Sequence, residues 1–195
     1  LLAATTLLGL AACSDDDSDA VEEFPNWQAT NSTYWQQLLS DTEAKISSGD
    51  DTWRIIPTYA LESEKVTVPN DRKIIVHIVE SGSGTESPIF TDTVRVNYLG
   101  RLLPSTTYSA GLIFENTWSA GYDSATSSPH KLAVSAVIEG WATALQLMHP
   151  GDRWQIYIPQ AMGYAANPPS GSSIPAYSTL IFDMKLEQFW HPKKK

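Results

Sequence analysis

VRVNYLG (Val94–Gly100), AVIEGWATAL (Ala136–Leu145), PGDRWQIYIP (Pro150–Pro159) and IPAYSTLIFDMKL (Ile174–Leu186) are the stretches whose reading decides the fold. Val94, Val96 and Tyr98 alternate with Arg95 and Asn97, the period of a half-buried strand. Trp154, Ile156 and Ile158 repeat that period, as do Leu180, Phe182, Met184 and Leu186. Between these runs Ile138, Trp141, Leu145 and Met148 fall three to four residues apart. They predict one apolar helix face, with Pro150-Gly151 as its stop. Strands, a short helix, then strands again predict an α+β domain with an antiparallel sheet around a single helix.

Working outward, residues 101–111 lengthen the link from the first strand to Phe114, with Pro104 and Gly111 as punctuation and Tyr108 near the tip. This reads as a long hairpin or loop. Upstream, Trp53–Ala60 and Lys73–Val79 read as strands, and Pro57 confines the first to an edge or a bulge. Asn31-Ser32-Thr33 offers N-caps for a helix carrying Trp35, Leu38, Leu39 and Ile46, with Gly49 as its end. That helix is expected to pack on the domain or to pair with a second copy through Trp35 and Leu39.

Residues Leu1–Ala12 are apolar or small apart from two threonines. Such a run is shorter than the ~20 residues of a membrane span and fits the apolar core of a secretory signal. Leu10-Ala11-Ala12-Cys13 resembles a bacterial lipobox, which implies a lipid on Cys13, the single cysteine of the chain. Ser14-Asp15-Asp16-Asp17-Ser18-Asp19 reads as a solvated tether, and it also resembles the export tag of surface lipoproteins in the Bacteroidetes. The expected organisation is a signal and lipobox over 1–13, a tether over 14–28, an extension over 29–85, the main domain over 86–190 and a basic tail over 191–195. A net charge of −9 over 195 residues, with pI near 4.8, argues against a nucleic-acid partner. His77, His130, His149 and His191 lack metal-ligand spacing, so no metal site is expected.

Val137-Ile138-Glu139-Gly140-Trp141, Gly151-Asp152-Arg153, Ile174-Pro175 and Thr179-Leu180-Ile181-Phe182-Asp183 stand in one order over about half the chain. In that order and spacing the sequence resembles the FKBP-type peptidyl-prolyl cis-trans isomerases. The resemblance implies a half-closed antiparallel sheet wrapped around one short helix, and catalysis of X-Pro bond rotation in exported chains. Such a reaction makes and breaks no covalent bond, so it needs no nucleophile, metal or cofactor. Rotation opposes a barrier near 20 kcal/mol. The twisted amide has lost its resonance and much of its dipole, so an apolar aromatic pocket holds it better than water does.

Carried over by motif, Trp141 is the expected floor beneath the proline ring, with Tyr98, Phe114 and Phe182 as walls and Glu115 beside them. Val137 and Ile138 would line the rim, and the Ile138 N–H would bond a substrate carbonyl. Tyr164 would present its hydroxyl to the amide oxygen, and Ile174 would cover the open side. His130 and Leu132 mark the strand where the family carries an aromatic residue, and the sequence leaves open which of them faces the pocket. Each aromatic also reads as core on its own; their clustering in family order is what points to a site. Three further departures fall here: Glu115 for the family's aspartate, Ala165 for its glycine, and Ser173 for a more apolar residue. Alanine resists positive φ, so Ala165 is expected to disturb the backbone that aims Tyr164. The expected partners are proline-containing polypeptides and, through Cys13, the membrane of the cell envelope. A catalytically weak proline-segment binder or a structural surface lipoprotein on the same fold is the alternative.

Overall fold

The structure, a computed structural model, describes residues 21–61, 67–118 and 121–193. Cys13, the acidic run and the last two lysines lie outside the described residues. The order of elements is α1 (Trp27–Ser47), β1 (Trp53–Pro57), β2 (Lys73–Glu80), β3 (Thr93–Arg101), β4 (Ile113–Asn116), β5 (His130–Ala133), α2 (Glu139–Leu145), β6 (Arg153–Ile158) and β7 (Leu180–Trp190). Seven strands form one antiparallel sheet in the order β1-β2-β6-β7-β3-β4, and β5 pairs with the first half of β3. This is the α+β architecture expected, an antiparallel sheet holding one short helix.

Residues directly opposite each other in an antiparallel ladder share a face. Tyr98 lies opposite Met184, Met184 opposite Trp154, and Ile158 opposite Leu180. These side chains make the face that carries α2. Trp53 lies opposite His77 on the other face, where the Lys45 ammonium of α1 sits 3.5 Å over the Trp53 ring. The sheet is thus covered on both sides near β1 and β2. That explains why Ile74, Ile75 and Val76 are consecutive and all fully buried, a pattern a one-sided strand does not allow. Pro57 ends β1, and β1 is the sheet's edge as its proline requires.

Three local expectations differ from the structure. The first helix begins at Trp27, not after Asn31-Ser32-Thr33. Asn31 lies inside it, 2% exposed, where its amide donates to the Trp27 carbonyl at 2.8 Å and its oxygen accepts the Thr179 N–H at 2.7 Å. An asparagine with two buried partners can occupy a helix interior that its intrinsic preference disfavours. The Trp27 and Trp35 indoles donate to Ser178 Oγ and the Asn70 carbonyl, so α1 is pinned to its own domain, whereas Ile46 is exposed. Second, Asn97 is buried despite its polar position in the alternation; it donates to Glu187 at 2.9 Å and accepts from Thr117 at 2.9 Å. Third, α2 stops at Leu145, with Gln146 as C-cap, before Pro150-Gly151. Met148 is still fully buried, in the turn that follows.

Candidate active site

Two glycines leave room for the short helix and for the rings beside it. A Cβ on Gly140 would lie 2.4 Å from Ile158, so the residue before Trp141 has no room for a side chain. A Cβ on Gly100 would lie 2.5 Å from the Phe114 ring and 2.7 Å from the Phe182 ring. That bare backbone in β3 is what lets two aromatic walls close over it. Trp141 then meets Tyr98 edge to face at 4.7 Å and Phe182 at 5.0 Å, while Phe114 meets Phe182 at 5.5 Å. Perpendicular packing at these separations is the favoured arrangement of aromatic quadrupoles.

A cavity of about 270 Å³ opens above these rings. Its lining is Tyr98, Phe114, Glu115, His130, Leu132, Ala136, Val137, Ile138, Trp141, Tyr164 and Phe182. All the predicted pocket residues are gathered there except Ile174, which is buried in the core and does not line the cavity. Both His130 and Leu132 face inward, being two apart on β5. Lys131 between them turns to the Trp190 ring, 4.6 Å away. Ala136 was not singled out from the sequence, since a small residue carries no signal of its own. Residues 101–111 contribute nothing to the lining: Leu102 and Leu103 are buried, Tyr108 is exposed, and Ser105 and Thr107 donate to the Glu23 carboxylate.

The polar groups are few and directed. The Tyr98 hydroxyl donates to Glu115 Oε1 at 2.5 Å and lies 3.1 Å from His130 Nδ1. Burial, then the Glu115 hydrogen bond and charge, push the Tyr98 hydroxyl well above its ordinary range. Burial and the Glu115 charge push Tyr164 up as well. Both phenols therefore remain protonated at neutral pH. Glu115 reaches the Tyr98 hydroxyl across the rim. The Ile138 N–H stands at the start of α2, where no side chain caps the helix and the intrahelical ladder has not yet begun. The Trp141 indole N–H is buried with no acceptor among the described residues, so this residue contributes its ring and not its donor.

Ala165 adopts φ 48°, the left-handed region, instead of displacing the backbone. Its N–H donates to the Gln160 carbonyl at 3.0 Å, and its carbonyl accepts the N–H of Tyr177, itself at φ 63°, at 2.7 Å. Two bonds therefore hold the conformation that a glycine would take freely, and Tyr164 still lines the cavity. Left-handed backbone costs an alanine roughly 1–2 kcal/mol, and glycine returns about 0.4–1 of that through chain entropy. Ala165→Gly is accordingly expected to stabilise the protein by about 0.5–1 kcal/mol in urea unfolding, with site geometry unchanged. A destabilised variant would show that Ala165 is not strained.

A larger recess, about 560 Å³, lies between α1 and residues 159–160 and 177–179. Amide, hydroxyl and carboxylate side chains line it together with Trp35, Leu39, Pro159 and Tyr177, and it lacks the cluster of packed rings.

Apolar rings, the Ile138 backbone and the Tyr164 phenol thus stand around one cavity. The model of the FKBP-type peptidyl-prolyl cis-trans isomerase family matches residues 84–187, more than half of the chain, and the chain belongs to that family. An FKBP-type 22 kDa peptidyl-prolyl cis-trans isomerase of Escherichia coli is 36% identical over 109 residues, 56% of this chain and 46% of that protein. The outer membrane protein MIP of Legionella longbeachae is also 36% identical over 109 residues, 56% of this chain and 41% of its own length. The solved structure of the three FKBP domains of wheat FKBP73 superposes with a TM-score of 0.50 at 26% identity, covering 64% of this chain and 49% of that one. The chain thus spans about half the length of the curated relatives it matches.

Proposed function

We propose that this chain is a peptidyl-prolyl cis-trans isomerase that accelerates X-Pro rotation in exported polypeptides. The observation that carries the reading is the cavity itself: Trp141, Tyr98, Phe114 and Phe182 enclose a space suited to a proline ring. A proline seated on Trp141 places its flanking amide among rings that offer little solvation to a resonant, dipolar ground state. The Ile138 N–H bonds one carbonyl, and the Tyr164 hydroxyl, kept protonated, bonds the amide oxygen. Rotation then proceeds with its ends held and its dipole reduced, and no side chain exchanges a proton. Glu115 and His130 fix the Tyr98 hydroxyl and so the orientation of that wall. A protease-free assay of a cis-enriched X-Pro peptide tests the reading. Catalytic amounts of protein should raise the rate well above the uncatalysed one, whereas an uncatalysed rate from folded protein favours the non-catalytic binder.

The same proposal places the protein in the cell envelope, held by a lipid on Cys13. Supporting this are the lipobox-like Leu10-Ala11-Ala12-Cys13 and the outer-membrane name of the Legionella relative. Fractionation of cells expressing Cys13→Ser should move the protein from the membrane to the soluble fraction; unchanged membrane retention would exclude this anchor.

A further inference from the structure

Arg72 lies before the residues matched by the family, in the turn Asn70–Arg72 that leads into β2. Its guanidinium touches two elements of the cavity at once. Nη2 donates to Glu139 Oε1 at 2.6 Å, and Nη1 donates to the Ala161 carbonyl at 3.5 Å. Glu139 opens α2 and directly follows Ile138. Ala161 sits in the turn Gln160–Met162, three residues before Tyr164. The Thr58 hydroxyl donates to the same Glu139 oxygen, and the Thr58 N–H donates to the Arg72 carbonyl at 2.9 Å. Tyr59 adds a bond from its N–H to Thr143 Oγ1 of α2 at 3.4 Å. Residues 58–59 and 72 therefore clasp the helix and the turn together from outside the cavity.

We infer that Arg72 is a positioning residue for the site: it sets the separation between the Ile138 N–H and the Tyr164 hydroxyl. This rests on the isomerase reading proposed above, in which those two groups hold the substrate's carbonyls. The two groups belong to elements with β6 between them in the chain. Ile138 precedes α2, a helix of seven residues with no side-chain cap, and Tyr164 follows the single turn Gln160–Met162. A guanidinium is rigid, planar and permanently charged, so one side chain can hold both acceptors in fixed geometry. Arg72 and Glu139 are 31% and 24% exposed, and a pair so placed contributes little to global stability. Its consequence is geometric. A misplacement of ~1 Å in a reacting constellation costs on the order of a hundredfold in rate.

The test uses the full chain with Arg72→Met, Arg72→Lys and Glu139→Gln. It measures kcat and KM on an X-Pro peptide, the urea midpoint, and the amide NMR shifts of Ile138 and Tyr164. Arg72→Met is expected to lower kcat about tenfold, to leave KM within about twofold and the midpoint nearly unchanged, and to move both amides. Arg72→Lys keeps the ion pair but not the fork, so kcat should be intermediate, with the Ile138 amide restored and the Tyr164 amide still displaced. Glu139→Gln should move the Ile138 amide alone. Wild-type kcat in Arg72→Met with both amides unmoved would overturn the inference. So would a loss of rate that merely follows the midpoint and is fully restored by lysine. If the wild type itself fails to accelerate rotation, the isomerase reading falls. The two amides then decide separately: displaced in Arg72→Met they support the clasp, and unmoved they overturn it.

Discussion

Trp141→Ala is expected to lower isomerisation at least tenfold and to cost the fold about 3–5 kcal/mol, the usual loss for truncating a buried aromatic. Trp141 is 4% exposed and contacts Tyr98 and Phe182 edge to face, so its removal lowers the floor of the cavity and frees two of its walls. A tenfold change in rate corresponds to about 1.4 kcal/mol, the size of one good aromatic contact. The stability cost is large against a typical total of 5–15 kcal/mol, so rates must be compared at a temperature where near-ultraviolet circular dichroism shows both proteins folded. Trp141→Phe separates the effects. It keeps a smaller aromatic floor and loses the pyrrole part of the indole, whose N–H has no acceptor among the described residues, so it should regain part of the stability and part of the rate. An unchanged rate in folded Trp141→Ala would remove this residue from the site.

A chain limited to residues 84–193 is expected not to fold, although it contains everything the family model matches. It lacks β1 and β2, and β2 is paired with β6 from Ile75–Tyr157 to Glu80–Arg153. Ile74, Ile75 and Val76 are fully buried, and each fully buried aliphatic side chain contributes about 1.5–3 kcal/mol. Losing these three alone, roughly 5–9 kcal/mol, approaches the whole stability of an ordinary domain. The Arg72 clasp on α2 goes with them. Urea unfolding followed by tryptophan fluorescence is the check. The full chain should show a cooperative transition, and the shortened chain none; a sharp transition with a similar midpoint would mean that β1 and β2 are dispensable.

The parts of the molecule legible in the sequence were those with a repeating signal. Period-two alternation located β3, β6 and β7, and the spacing of Trp141 and Leu145 located α2. The aromatic cavity followed from motif order, because rings on neighbouring strands and on one helix can meet only if the sheet wraps that helix. What escaped was set by tertiary partners. Asn31 reads as a cap, yet its two buried bonds put it in a helix interior. Asn97 occupies an outward position in the alternation, yet Glu187 and Thr117 bury it. Ala165 reads as an obstacle to a left-handed backbone, yet the Gln160 carbonyl and the Tyr177 N–H hold it there. Arg72 gave no signal, since a lone arginine before a strand is usually solvated; only the fold brings Glu139 and Ala161 to it. Gly100 and Gly140 matter for what they leave empty, and a sequence does not show which rings come close.

The most direct test is two-dimensional exchange NMR on an X-Pro peptide with a catalytic amount of the protein, together with the protein's own amide shifts during titration. Cross-peaks joining the cis and trans peptide resonances should appear, and the displaced amides should cluster on Ile138, Trp141 and Tyr164. Absence of exchange cross-peaks from a folded protein, or exchange accompanied by shifts confined to residues away from these three, would contradict catalysis in this cavity.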